Sequence, residues 1–461
     1  MSADFTRRSL ATGIGSAGLG IGGLALLAQK ALADTPFTSF AFPATGAPTS
    51  RTMPDRLAEI KNVLDFGADP TGGTLSTSAI QAAVDSISGA NRGTIYFPVG
   101  FYTVNAPITF NYNGNLSIRF LGEGIGTTIA GNFPGFLFDR NNTNSGSPNN
   151  TTGGRIFQNL NLQNSNDAGG CVRIGSTIGA AFRNCLFGGN TGVTAEDSAG
   201  NSSQNILFDN CHFNANGNNV TTNGVIIGGG GALISCDFVA HDTAIRAYGN
   251  GFHISGGRHE NTNTAIMLGV DSADTNRGAS GFAITGCSFE GNGTGIDLVG
   301  SCSGFLIGPV GFMGHDKSNS GYPTGVNNSQ YGLRVRARTA QAGMFYGINT
   351  GSQFDVAGIY IRAASSRANN LFECCNASQT GGLGAAWSLP SNAYTAFFDS
   401  CNISPVWTFS QLPSGAGNVL EGDEFNISNA NTAAWGAIVS GSGGNHALVR
   451  WNGSNWTVVG I

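Results

Sequence analysis

The stretch TGCSFEGNGTGIDL, residues 285–298, decides the fold. Its apolar positions form two alternating pairs, Cys287 with Phe289 and Ile296 with Leu298, and the residues between them are small or polar. Alternation of this kind turns one face of a short strand inward and the other outward. The intervening Gly and Asn tolerate tight or left-handed turn geometry. Such a piece cannot bury its inward face alone and must stack on others like it.

Variants of it recur. NCLF (184–187), NCHF (210–213), SCDF (235–238), GGRH (256–259), GCSF (286–289) and PVGF (309–312) align, with NLNL (159–162) one step earlier. Their second positions, Leu160, Cys185, Cys211, Cys236, Gly257, Cys287 and Val310, are about 25 residues apart, the length of one repeat unit in a solenoid. A second column follows each: CVRIG from 171, GVTAE from 192, GVIIG from 224, AIRAY from 244, AIMLG from 265, GIDLV from 295, GLRVR from 332 and GIYIR from 358. The architecture implied is an all-β solenoid, a parallel β-helix that rises about 4.8 Å per turn. Cys185, Cys211, Cys236 and Cys287 then lie one above another inside it as small apolar residues. Nine cysteines is an odd count, so a fully paired disulfide framework is excluded; the vicinal Cys374 and Cys375 have no place in this scheme.

The composition suits an extended polar surface. Gly accounts for 71 of 461 residues and charged residues for 11%, with a net charge of −5 and no basic cluster. Nucleic-acid binding needs a concentrated positive field, so that class is set aside. Residues 1–33 read as an address: Arg7 and Arg8 in TRRSLA precede a charge-free, glycine-rich run from Ser9 to Ala28 and the small-x-small pattern Ala31-Leu32-Ala33. This resembles a twin-arginine export signal and implies a periplasmic or extracellular protein, with no membrane association once the signal is cleaved; an uncleaved membrane anchor is the alternative, disfavoured because glycine dilutes the run's hydrophobicity. The formal G-x-G-x-x-G match at Gly13, Gly15 and Gly18 has no strand before it and carries no nucleotide-binding meaning.

Residues 34–61 read as an N-terminal extension, 62–411 as the β-helix, and 412–461 as a linker (LPSGAGN) and a C-terminal β-hairpin cap around Asn452-Gly453. In Ser76–Ser88, Ile80, Ala83, Val84 and Ile87 follow helical spacing, and the preceding hydroxyls are placed to cap the first turn. This helix, with NVLDFGADPTGG (62–73) before it and RGTIYFPVGFYTV (92–104) after it, resembles the N-terminal module of the pectate-lyase-like superfamily. Leu75 and Ser76 stand where that pattern often has an aspartate pair, a departure confined to a turn. The resemblance implies a right-handed β-helix that handles polysaccharide, in a superfamily of polygalacturonases, rhamnogalacturonases, lyases, epimerases and tailspikes, some of them homotrimeric.

The polygalacturonase patterns N-x-D, G-D-D, G-H-G and R-I-K are not intact and the calcium-binding acidic cluster of the pectate lyases is not evident, so the candidates come from the residues themselves. Asp242, Glu260 and Asp297 lie on three successive coils near one edge, with Asp242 and Asp297 two rungs, or about 9.6 Å, apart along the axis before lateral offset. Inverting glycosidases separate their carboxyls by roughly 6.5–9.5 Å, so the set is a candidate proton donor and base; solvated turn acids are the plainer alternative. Arg173, Arg246, Arg334, Arg336 and Arg362, with Tyr248 and Tyr360, are expected on the outward positions of one sheet. There they track an acidic polymer, or pair across rungs with acids such as Glu196 and Asp297. His212, Asp237 and Arg258 read as a structural ladder, and His259, in place of an inward Phe, as a hydrogen-bonded core residue. Asp271, Asp274 and Arg277 mark a longer loop. No cofactor or strong metal-ligand spacing is found. Two functions remain: a secreted enzyme that cleaves polysaccharide by hydrolysis or β-elimination, and a non-catalytic glycan-binding β-helix. The export signal argues against a tailspike, because virion parts assemble in the cytoplasm.

Overall fold

The structure is a computed structural model. It describes residues 41–43, 49–52, 59–87, 92–110, 117–140, 152–175, 177–196, 203–215, 222–269, 278–314, 329–335, 339–341, 343–351, 354, 357–361, 370–377, 385–388, 396–399, 406–407, 409–412, 421–422 and 424–461. Two compact units divide the chain, residues 1–60 and 61–461. In the first, Ala41–Pro43 pairs antiparallel with Ser50–Thr52.

The second unit is a right-handed parallel β-helix built on three long sheets of 13, 11 and 11 described strands. One coil shows the plan: Phe252–Ser255 belongs to the first sheet, Arg258–Glu260 to the second and Thr264–Leu268 to the third. The next coil repeats it with Ala283–Thr285, Ser288–Glu290 and Thr294–Leu298, in register throughout. The quoted stretch is therefore the second and third strands of one rung.

Parallel, in-register pairing places each inward side chain on its counterpart one rung away, and the core is a set of such stacks. Phe187, Phe213 and Phe238 stack at 4.7 and 4.5 Å between ring centroids, and Phe289 and Phe312 continue the column at 4.7 Å. Phe157, Phe182 and Phe208 form a second stack at 5.1 and 4.8 Å. These spacings are the rung rise itself, so each phenyl keeps both faces covered. Room for the rings is made on the third sheet by small residues. A Cβ on Gly295 would lie 2.3 Å from Phe312, and one on Gly224 would lie 2.7 Å from Phe238. This explains the Gly or Ala that opens seven of the eight units of the second sequence column, Cys171 opening the first.

Between the first and second sheets the chain turns on a single left-handed residue. Asn159, Asn184, Asn210 and Ser235 all have φ between 50° and 56°, and Gly256 and Gly286 take the place at 67°. The amides form a ladder, Asn210 donating to Asn184 at 2.9 Å and Asn184 to Asn159 at 3.2 Å. The residue after each corner points inward. Cys185, Cys211, Cys236 and Cys287 are free, buried thiols, each donating to the carbonyl two residues earlier. Cys374 and Cys375 now find their place in the same device. Cys374 is the left-handed corner at φ 51°, and the buried Cys375 bonds the Glu373 carbonyl as the other thiols do.

At the N-terminal end the helix Thr77–Asp85 buries Ala79, Ile80, Ala83 and Val84. Ser76 precedes it without capping it through its side chain; its hydroxyl accepts from the Asp69 backbone amide at 2.9 Å, fastening the ADPTGG turn instead. Residues 406–460 form a four-stranded sheet in which Glu424–Ala430, Asn445–Trp451 and Trp456–Gly460 run antiparallel around their own small core, Ile427, Val449, Trp456 and Val458.

His259 lies in the phenyl column, between Phe238 at 5.1 Å and Phe289 at 4.9 Å, and is fully buried. Contrary to expectation it is not hydrogen-bonded through its ring: neither nitrogen has a partner. Burial lowers its pKa from 6.5 to about 3, and that of the nearby buried His241 to about 4. The unfolded chain binds these protons more readily, so the stability they confer is complete above pH 6.5 and drains as the pH falls toward 3. In equilibrium unfolding across this range, His259→Phe is expected to flatten the acid limb by continuing the phenyl stack; an acid limb equal to wild type would refute the assignment. Gly295→Ala is expected to destabilise by about 1–3 kcal/mol in urea titration, because the Phe312 ring must shift.

Candidate active-site groove

The outward positions of the third sheet form one continuous column. Register places Asp139, Arg173, Thr194, Ile226, Arg246, Met267, Asp297, Arg334 and Tyr360 on successive rungs. Alternation along each short strand aims these side chains away from the core. Arg173, Arg246, Arg334 and Tyr360 are therefore neighbours on one face, as their sequence positions suggested.

Two of the three arginines are already engaged. Arg173 grips Asp139 with both ends of its fork, Nε to Oδ1 at 2.7 Å and Nη2 to Oδ2 at 2.6 Å, and lies over the Phe136 ring at 4.9 Å. Arg334 repeats the arrangement on Asp297 at 3.0 and 2.5 Å, over the Tyr331 ring at 4.9 Å. Of the two acids proposed from sequence as cross-rung partners, Asp297 is thus one; the acid on Arg173 is Asp139, which sequence reading missed.

Arg246 is different. It sits between Ile226 and Met267 in the column, so neither of its register neighbours is an acid. Its Nε is buried and has no hydrogen-bond partner. A guanidinium half-buried between apolar side chains offers N–H donors that find no acceptor there.

The candidate acids occupy three different settings. Asp242 lies in the turn just before Thr243–Ala247, half-buried, and accepts from Asn263 Nδ2 at 3.0 Å on the next coil. Glu260 ends its strand on the second sheet and meets Arg258 Nη1 at 3.2 Å. Its register partner one rung on is Glu290, an unforeseen second carboxylate on that edge. Asp297 departs from the expected accessible acid: its side chain is fully buried and both oxygens are held by Arg334. Tyr248 departs as well. It follows the last residue of Thr243–Ala247 and is 5% exposed, so it does not project into the groove. Arg336, Arg362, Asp271, Asp274 and Arg277 lie outside the described residues.

His212, Asp237 and Arg258 do stack on successive rungs of the second sheet, with Arg258 N donating to Asp237 Oδ1 at 3.0 Å. Ser288, exposed and in register with Arg258, continues the column on the next coil, and the four form a ladder on the outside of the second sheet.

Three long parallel sheets, with a charged outward column on the third, define a right-handed parallel β-helix of the pectate-lyase-like kind. Residues 60–297, just over half of the chain, match the family described as rhamnogalacturonase A/epimerase, pectate lyase-like, and the chain belongs to that family. A tailspike protein of E. coli bacteriophage HK620 shares the fold, with a TM-score of 0.56 at 14% identity over 80% of this chain and 72% of that one. Two Azotobacter vinelandii enzymes are similar over a short segment. Mannuronan C5-epimerase AlgE3 is 40% identical over 72 residues, 15% of this chain and 4% of the epimerase. Alginate lyase 7 is 42% identical over 72 residues, 15% of this chain and 8% of the lyase. The matches thus span less than a tenth of either enzyme.

Removing one member of a buried ion pair strands the other. Arg334→Met is expected to destabilise the protein by about 3 kcal/mol or more, and Arg334→Met with Asp297→Leu to recover most of that loss in chemical denaturation. Equal losses in the single and double variants would show that the pair contributes nothing through its charges.

Proposed function

We propose that the protein is an exported enzyme that degrades a carboxylate-bearing polysaccharide along the outer face of the third sheet. The observation that carries this reading is Arg246, whose guanidinium stands between Ile226 and Met267 with its Nε unpartnered. A planar fork of N–H donors matches a uronate carboxylate, and the flanking apolar side chains suit the faces of a sugar ring. Membership of a rhamnogalacturonase and epimerase family supports a polysaccharide substrate. The names of the two bacterial relatives, which specify mannuronan and alginate, support an acidic one. The twin-arginine motif in TRRSLA, which lies outside the described residues, supports export to the periplasm or beyond.

Two routes use the same anchor. In hydrolysis, Asp242 and Glu260 take the parts of proton donor and base, and water adds across the glycosidic bond. In β-elimination, Arg246 neutralises the carboxylate and thereby acidifies the α proton. A base removes that proton, a carbon–carbon double bond forms, and the glycosidic oxygen leaves with a proton. Asp297 is withdrawn from either route by its bond to Arg334. That same observation favours a second reading, a β-helix that binds acidic glycan without cleaving it.

A panel of uronate-containing and neutral polysaccharides separates the readings. Elimination yields an ultraviolet-absorbing product, hydrolysis yields reducing ends alone, and a binder yields neither. Arg246→Met is expected to weaken uronate oligosaccharide binding by about tenfold or more, the equivalent of one charge-assisted hydrogen bond, and to leave neutral sugars unaffected. Asp242→Asn and Glu260→Gln are expected to abolish turnover with binding retained. Full activity in both would remove these acids from the mechanism.

A further inference from the structure

One charged residue breaks the pattern of the interior. Arg155 lies in Thr152–Gln158 of the first sheet, two places before the stacked Phe157, and pairs in register with Ala180 and, one coil on, with Ile206. Ile118, two places before Phe120, holds the same position on the preceding coil. Every other member of this inward column is apolar. Arg155 is fully buried, and its Nε, Nη1 and Nη2 all lack a hydrogen-bond partner. Ala180, above it, is the smallest of the four residues and leaves room for the guanidinium.

A second buried arginine closes the same corner. Arg140, in register with the inward Ile174 of the third sheet, donates from Nη1 to the Gly175 carbonyl and to Thr177 Oγ1. Residues 141–151, NNTNSGSPNNT, link the two arginines in sequence and contain no acid, so this connection supplies no counter-charge. Burial, and next the charge of Arg140, lower the Arg155 pKa to about 9, which still leaves it protonated at neutral pH. A buried guanidinium with none of its donors used is among the costliest arrangements a core can hold. Water satisfies donors but not charge. An anion satisfies both.

We propose that Arg155 forms an anion site inside the coil, on the inward face of the first sheet, and that chloride occupies it. The guanidinium is buried between Ile118 and Ala180 in its column, which favours a small, weakly hydrated, monovalent ion that accepts several N–H donors from any direction. Sulfate and phosphate are too large and too strongly hydrated to enter such a place.

Thermal unfolding of the full chain, at matched ionic strength in sodium chloride and in sodium gluconate, tests this. Chloride is expected to raise the apparent Tm by about 2–3 °C, because an ion that binds only the folded state stabilises it. Arg155→Met is expected to lose that dependence and to be at least as stable as wild type in gluconate. Crystals of the wild type grown in bromide are expected to show anomalous density within contact distance of the Arg155 guanidinium, a readout that holds even if the variant does not fold. An equal wild-type Tm in both salts, a full chloride response in Arg155→Met, or water alone at the guanidinium would overturn the proposal.

Discussion

Parallel, in-register pairing is the constraint from which the rest of the molecule follows. A rung rise of about 4.8 Å matches the thickness over which an aromatic ring, a thiol or an amide can lie on its own kind. Once the ladder is set, each position along a strand becomes a column, and each column must be chemically consistent along the axis. Phe187, Phe213, Phe238, His259, Phe289 and Phe312 are one such column, and the thiols beginning at Cys185 are another. The exceptions then stand out. A residue that breaks its column either has a compensating partner, as Asp297 has in Arg334, or leaves an unsatisfied demand, as Arg246 and Arg155 do.

The same constraint shapes the outer face of the third sheet. A flat outward face made of one column gives an extended polymer a straight track, and charges along it interact first with the rung above and below. Where acid and arginine fall on adjacent rungs they neutralise each other, as at Asp139 with Arg173. Arg246 escapes because its neighbours are Ile226 and Met267. Specificity on such a surface therefore depends less on which charges are present than on which are left without an opposite on the next coil.

This explains how much could be read before any coordinates. The fold was legible because its signal repeats: cysteine, phenylalanine and the apolar-variable-apolar triplets return at a common period, and stacking gives each a single meaning. The arginine column was legible for the same reason. What escaped were facts about a single rung. Tyr248 sits one residue past its strand, where alternation no longer fixes direction, and is buried. Asp297 looked accessible because its partner lies 37 residues on, in a coil whose longer connection breaks the period. Cys374 and Cys375 were opaque because a cysteine in the left-handed corner position, normally Asn, Ser or Gly here, hides the alignment. Glu290 drew no notice alone; only its register beside Glu260 makes it a candidate.

The thiol column has one more implication. Cys185, Cys211, Cys236, Cys287 and Cys375 sit at known levels along the rod, each at most 3% exposed. A thiol-specific reagent can reach a given sulfur only after that level of the rod has opened. The molecule thus carries a graduated set of internal markers, and the sequence in which they become reactive would record whether the solenoid frays from its tips or parts in its middle.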